Sequence, residues 1–228
     1  MRELQLRSTA LLRLLHLASP ALPIGTFAYS HGLESAVLLG YIEGADDTRT
    51  WIAGLLRQSL RTWDMPILVR IYDAFRAGDV EAARAWNRRL VASRPTAELA
   101  EEDRQLGQAL SRVLIHLGVA DASEWHGDPD VTYEVMFALA AAMYEVPIDA
   151  ALSAYAFAWC EMLVGAATKL VPLGQTQSQQ ILAGLTETID SAVADGLTRA
   201  DDDLSAFAPM HTMASALHES QYSRLFRS

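Results

Sequence analysis

Apolar positions recur every three or four residues along almost the whole chain, the spacing of helices buried on one side. No stretch keeps the alternation of a half-buried strand. The first predicted helix covers residues 4–18, where Leu11, Leu12, Leu14, Leu15 and Leu17 supply the apolar positions and Pro20 and Pro23 end it. A loop over 19–29 and a second helix over 30–39 follow. Asp47 or Thr48 is the expected cap of a third helix running toward Trp63, and Asp64-Met65-Pro66 is read as a restart into a helix over 67–77. Gly78-Asp79 is a stop followed by a cap, for a helix over 80–92 that Ser93-Arg94-Pro95 breaks. Residues 96–117 form a long helix ending at Gly118. The segment 118–130, with Gly127, Pro129 and four acids, is the best loop candidate.

Three more long helices complete the pattern, over 132–143, from Pro147 and Asp149 onward, and over 175–198. Asp201-Asp202-Asp203 reads as a solvated turn, and Pro209 opens a last short helix. The stretch 148–171 is long enough to cross a bilayer. Glu161 near its middle would cost roughly 3 kcal/mol there, which favours the core of a soluble bundle. Its apolar residues, Leu152, Tyr155, Phe157, Trp159, Met162 and Leu163 among them, face every direction, so it is the expected central helix. The reading is all-α: one domain, 1–228, of about ten helices around a central apolar helix, with 218–228 as a docking tail.

Composition narrows the function. The chain has 228 residues, about half of them hydrophobic, and a net charge of -10. That charge argues against a nucleic-acid groove. Arg2 and Arg7 before an apolar run imitate a signal peptide, but Arg13 and His16 interrupt the run at helical spacing. Cys160 is the single cysteine, so no intramolecular disulfide is possible; a buried inert thiol in a reducing, cytoplasmic compartment fits. A P-loop and an H-E-x-x-H pair are both missing, and no two of the six His lie at i, i+3 or i+4. No catalytic, metal or cofactor set is therefore assigned.

Three blocks stand out. Residues 17–34 (LASPALPIGTFAYSHGLE) combine two prolines, Gly25 and the aromatics Phe27 and Tyr29. This is either a stiff connector packed on the core or an aromatic interaction loop. Residues 169–175 (KLVPLGQ) stop a helix at Pro172 and Gly174, and Lys169 suits the negative end of its dipole. Lys169 and Gln175 at such a corner, with Glu34, are candidates for a polar passage. Residues 218–228 (HESQYSRLFRS) carry Tyr222, Arg224, Leu225, Phe226 and Arg227 where chain ends usually hold small polar residues. Tyr and Arg are enriched at binding hot spots, so the tail is read as docking on the protein's own body or on a partner.

These blocks in this order, with SRPTAELAEEDRQLG at 93–107, resemble the UreF family of urease accessory proteins. Thr26 stands where that family usually has a second Gly, and Pro95 and Ala100 where it often has Glu and Arg. The resemblance implies a non-enzymatic, homodimeric all-α protein. It implies binding to the accessory protein UreH (also called UreD), recruitment of the GTPase UreG and support of Ni²⁺ delivery to apo-urease, with GTP held by the partner. It also places Tyr222, Arg224 and Arg227 at partner interfaces. The alternative reading is a small all-α enzyme with a polar pocket formed by Lys169, Gln175, His211 and His218. A membrane-inserted helical protein ranks last.

Overall fold

Side-chain caps set several helix starts where the sequence places them. Asp79 accepts the Ala82 N–H at 2.9 Å, Thr96 that of Leu99 at 3.3 Å and Thr132 that of Val135 at 3.2 Å. Gly78 ends a helix in the left-handed region, at φ 74°. In the computed structural model, which describes residues 7–228, the helices are α1 (Ser8–Leu17), α2 (Leu33–Leu38), α3 (Ala45–Leu55), α4 (Met65–Ala77), α5 (Val80–Ser93), α6 (Ala97–His116), α7 (Tyr133–Met143), α8 (Ile148–Leu170), α9 (Gln175–Thr198) and α10 (Pro209–His218). No strand occurs among the described residues. The expected helix start at residue 4 lies outside them.

Three boundaries differ from the sequence reading. The second helix begins at Leu33 rather than residue 30, because His31 and Gly32 both take positive φ, 54° and 76°. The third helix begins at Ala45, with Gly44 rather than Asp47 or Thr48 at its cap position; Asp47 instead accepts the Glu43 N–H at 3.1 Å, and the Thr48 hydroxyl donates back to the Gly44 carbonyl at 2.7 Å. The expected restart at Asp64-Met65-Pro66 is no break at all. A π-helical segment, Leu56–Asp64, joins α3 to α4. Pro66 has no N–H to give the carbonyl four residues back. That carbonyl, on Thr62, instead accepts the Ser205 N–H at 3.1 Å, while the Thr62 hydroxyl donates to the Ser205 carbonyl at 2.6 Å. The wider π turn accommodates the proline, and the freed group finds a partner from the segment before α10.

The helix buried on every face is α7, from Glu134 to Ala142, not α8. In α8 only half of the apolar window is buried, and Phe157 is 43% exposed. The cause is position: α7 is covered by α4 on one side and α6 on another, whereas α8 packs mainly on α9. The close approach of α6 to the start of α7 depends on Gly107. A Cβ there would lie 2.6 Å from the Thr132 carbonyl carbon. The loop 118–130 is pinned by Trp125, which is 1% exposed, lies under Arg84 and meets Phe75 edge-on. The core is one continuous apolar cluster running from Ala10 to Ala214.

Candidate functional site

The C-terminal tail is seated on the body of the protein, and one carboxylate holds it. Glu34, on α2, accepts the Leu225 N–H at 2.8 Å on Oε1 and the Phe226 N–H at 2.9 Å on Oε2. The Gln221 side-chain amide donates to Oε1 at 3.4 Å. His218 is fully buried, its Nδ1 2.6 Å from Glu98 Oε2 and its Nε2 3.3 Å from Glu34 Oε2. Arg224 pairs with the other oxygen of Glu98. Ser30 donates its N–H and hydroxyl to the Ser228 main-chain oxygen, and the Ser228 hydroxyl donates to Glu102. Glu219 accepts the Ala97 N–H at 2.8 Å and so caps α6 from the end of α10.

This seating divides the tail residues singled out in the sequence. Phe226 is buried, with the Lys169 ammonium 5.2 Å from its ring centroid. Arg227 donates to Gln105 Oε1 at 3.0 Å, and the Tyr29 hydroxyl donates to the same atom at 2.7 Å. Tyr222 and Leu225 face outward, fully exposed and 62% exposed. Phe27 is also outward, 76% exposed on a 3₁₀ turn, Thr26–Ala28. Gly25, at φ 87°, opens that turn, and nothing approaches its missing Cβ.

Behind the tail lies a cavity of about 320 Å³, lined by Tyr29, His31, Glu102, Trp159 and Lys169 among others. Its floor is a charge cluster that no motif announces. Arg94, just past the end of α5, donates to Asp64 at 2.7 Å, to Glu134 at 3.1 Å and to Asp103. Tyr155 donates to Glu134 at 2.8 Å. Burial, outweighing the attraction of Arg94, pushes Asp103 well above the ordinary carboxylate range and raises Glu134. The acids of α6 thus split by helical spacing: Glu98 and Glu102 reach the tail, and Asp103 reaches Arg94. The only available signal was the bunching of acids after Arg94, which also describes an ordinary solvated face.

The pocket expected of an enzyme does not form. His211 stacks on His31 at 4.8 Å, and its Nε2 lies 3.0 Å from the His31 carbonyl. Burial, with His31 beside it, pushes His211 down to about 3. His218 is enclosed by Glu34 and Glu98, and Gln175 is exposed at the first position of α9. Of the four residues only Lys169 borders the cavity. Of the passage candidates, Glu34 is engaged by the tail, Lys169 lies on Phe226 and Gln175 faces outward. Among the described residues no group of three or more His, Cys, Asp or Glu side chains is placed to hold a metal ion.

A family model described as UreF matches residues 42–186. The chain is 44% identical over 216 residues to the urease accessory protein UreF of Alkalilimnicola ehrlichii, covering 95% of each chain. It is 43% identical over 218 residues to that of Teredinibacter turnerae, covering 96% of this chain and 98% of the other. To that of Pseudomonas putida it is 42% identical over 219 residues, with the same coverage. These relatives are accessory proteins, not urease itself. The chain belongs to the UreF family of urease accessory proteins, non-enzymatic factors of urease maturation.

Proposed function

We propose that this protein is an assembly factor that binds UreH (UreD), recruits the GTPase UreG and supports delivery of Ni²⁺ to apo-urease in the cytoplasm. The observation that carries this reading is the tail: main-chain hydrogen bonds fix its path, yet Tyr222 and Leu225 point into solvent. A preordered segment that displays an aromatic and an aliphatic side chain loses little entropy on binding. Phe27 on its stiff loop and Arg224 at the clasp supply further contacts. Nickel is cargo here, moving past polar groups such as Glu34, Lys169 or Gln175 without a closed ligand set. Nucleotide chemistry belongs to the GTPase.

A homodimer fits the apolar exposure. Helices α2 and α10 pack on one another and leave Leu38, Met213 and Leu217 exposed, by 70%, 52% and 48%. Large exposed apolar side chains grouped on adjoining helices mark association surfaces. The experiment is complementation. Cells producing urease without their own copy of this factor should yield urease with little nickel and little activity. Resupplying the chain should restore both. Equal nickel content with and without it would refute the reading.

A further inference from the structure

The cavity floor holds more carboxyl groups than there are cationic side chains beside them. At about 320 Å³ the cavity is at the small end of ligand sites, with room for about ten waters. Asp64, Glu102, Asp103, Glu134 and Glu161 border it, against Arg94 and Lys169. The Lys169 ammonium is turned to Phe226, so among the described residues Arg94 is the one cationic side chain that meets Asp64, Asp103 and Glu134. Arg94 satisfies one oxygen of Glu134. The other, Oε2, has no hydrogen-bond partner, although the side chain is only 4% exposed. A buried carboxylate oxygen without a donor is costly, and a donor brought from outside removes that cost.

The walls tell what kind of donor fits. Leu17, Ile24, Phe27, Trp159 and Met162 are apolar. Such walls cannot replace the hydration shell of an inorganic ion, and no preformed ligand set is present among the described residues. They do suit an apolar stem. We propose that this cavity binds an organic monocation, a primary ammonium or guanidinium on a short apolar stem, whose head donates to Glu134 Oε2. A free alkylammonium and a lysine side chain carried by a protein share this chemistry.

Trp159 borders the cavity, and its indole N–H resonance reports occupancy. Titration of the full chain with n-butylammonium chloride is expected to shift that resonance saturably. n-Butanol and magnesium chloride at equal concentrations are expected not to. Nα-acetyl-lysine N-methylamide separates the sources: a saturable response places a protein-borne lysine in the site, and a response to butylammonium alone places a free amine there. Glu134→Gln should weaken butylammonium binding about tenfold. Ala158→Phe, which adds bulk to the cavity wall from α8 and leaves the Glu134 carboxyl group in place, should abolish it while the helical circular dichroism stays unchanged. The proposal fails if butylammonium gives no saturable shift, if butanol or magnesium matches it, or if either folded variant binds as well as the unaltered chain.

Discussion

Glu34 and Phe226 are joined by a 2.9 Å hydrogen bond across most of the sequence, from the side chain of α2 to the main chain of the tail. The neighbouring Leu225 amide takes the other oxygen of the same carboxylate. A charged acceptor for two consecutive amides fixes a path, because the pair is satisfied in only one register of the tail. Glu34→Ala should therefore release the tail while the bundle persists. Each such hydrogen bond to a charged acceptor contributes about 1.5–3 kcal/mol to tail seating. Amide exchange at Leu225 and Phe226 should accelerate at least about tenfold, and trypsin should cut after Arg224 faster, with little change in thermal midpoint. Unchanged exchange at both amides would show that other contacts hold the tail.

Among the described residues Arg94 is the only guanidinium that meets Asp64, Asp103 and Glu134. Removing one partner of a buried ion pair typically costs about 3–5 kcal/mol, because the remaining charge stays buried. Arg94→Ala should lower stability to denaturant by that order. A loss under about 1 kcal/mol would mean that water or protons replace the guanidinium without cost.

The same cluster gives a pH prediction. Burial raises Asp103 and Glu134 above their ordinary values near about 4. Below that range both folded and unfolded chains hold these protons, and the groups cost nothing. As pH rises, the unfolded chain releases its protons first, so this contribution to stability falls. Asp103→Asn removes one such group. The stability of the variant relative to the natural chain should therefore improve between pH 4 and pH 7 in urea titrations. Parallel curves would contradict the assignment.

Gly107 sets the distance between α6 and α7. An added Cβ would meet Thr132 carbonyl atoms at 2.6 and 2.7 Å, which belong to backbone and cannot rotate away. Gly107→Ala should destabilise by about 1–3 kcal/mol despite the better helix propensity of alanine. A stabilised variant would show that the two helices separate freely.

Much of this fold is legible in local chemistry. Asp79, Thr96 and Thr132 are caps by residue type, α9 starts and ends where periodicity puts it, and α10 opens at Pro209. The joint at Pro66 is not legible, because the partner of Thr62 comes from Ser205, far along the chain. Burial of α7 over α8 is hidden for a related reason. Length and hydrophobicity favour α8, but neighbours decide burial. At the site, Tyr222 and Phe226 look alike in the sequence, and only the Glu34 clasp turns one out and the other in. The Arg94 cluster is invisible until α5, α6 and α7 converge.

The central claim is that a seated tail presents Tyr222 and Leu225 to the partners of the nickel-delivery assembly. Its most direct measurement is co-purification of UreH and UreG with the natural chain and with Tyr222→Ala/Leu225→Ala. Both side chains are exposed, so the variant should fold with stability within about 0.5 kcal/mol of the natural chain. An interface tyrosine contributes about 1–4 kcal/mol, so partner capture should drop by an order of magnitude or more, roughly. A folded variant that captures both partners as fully as the natural chain would contradict the claim.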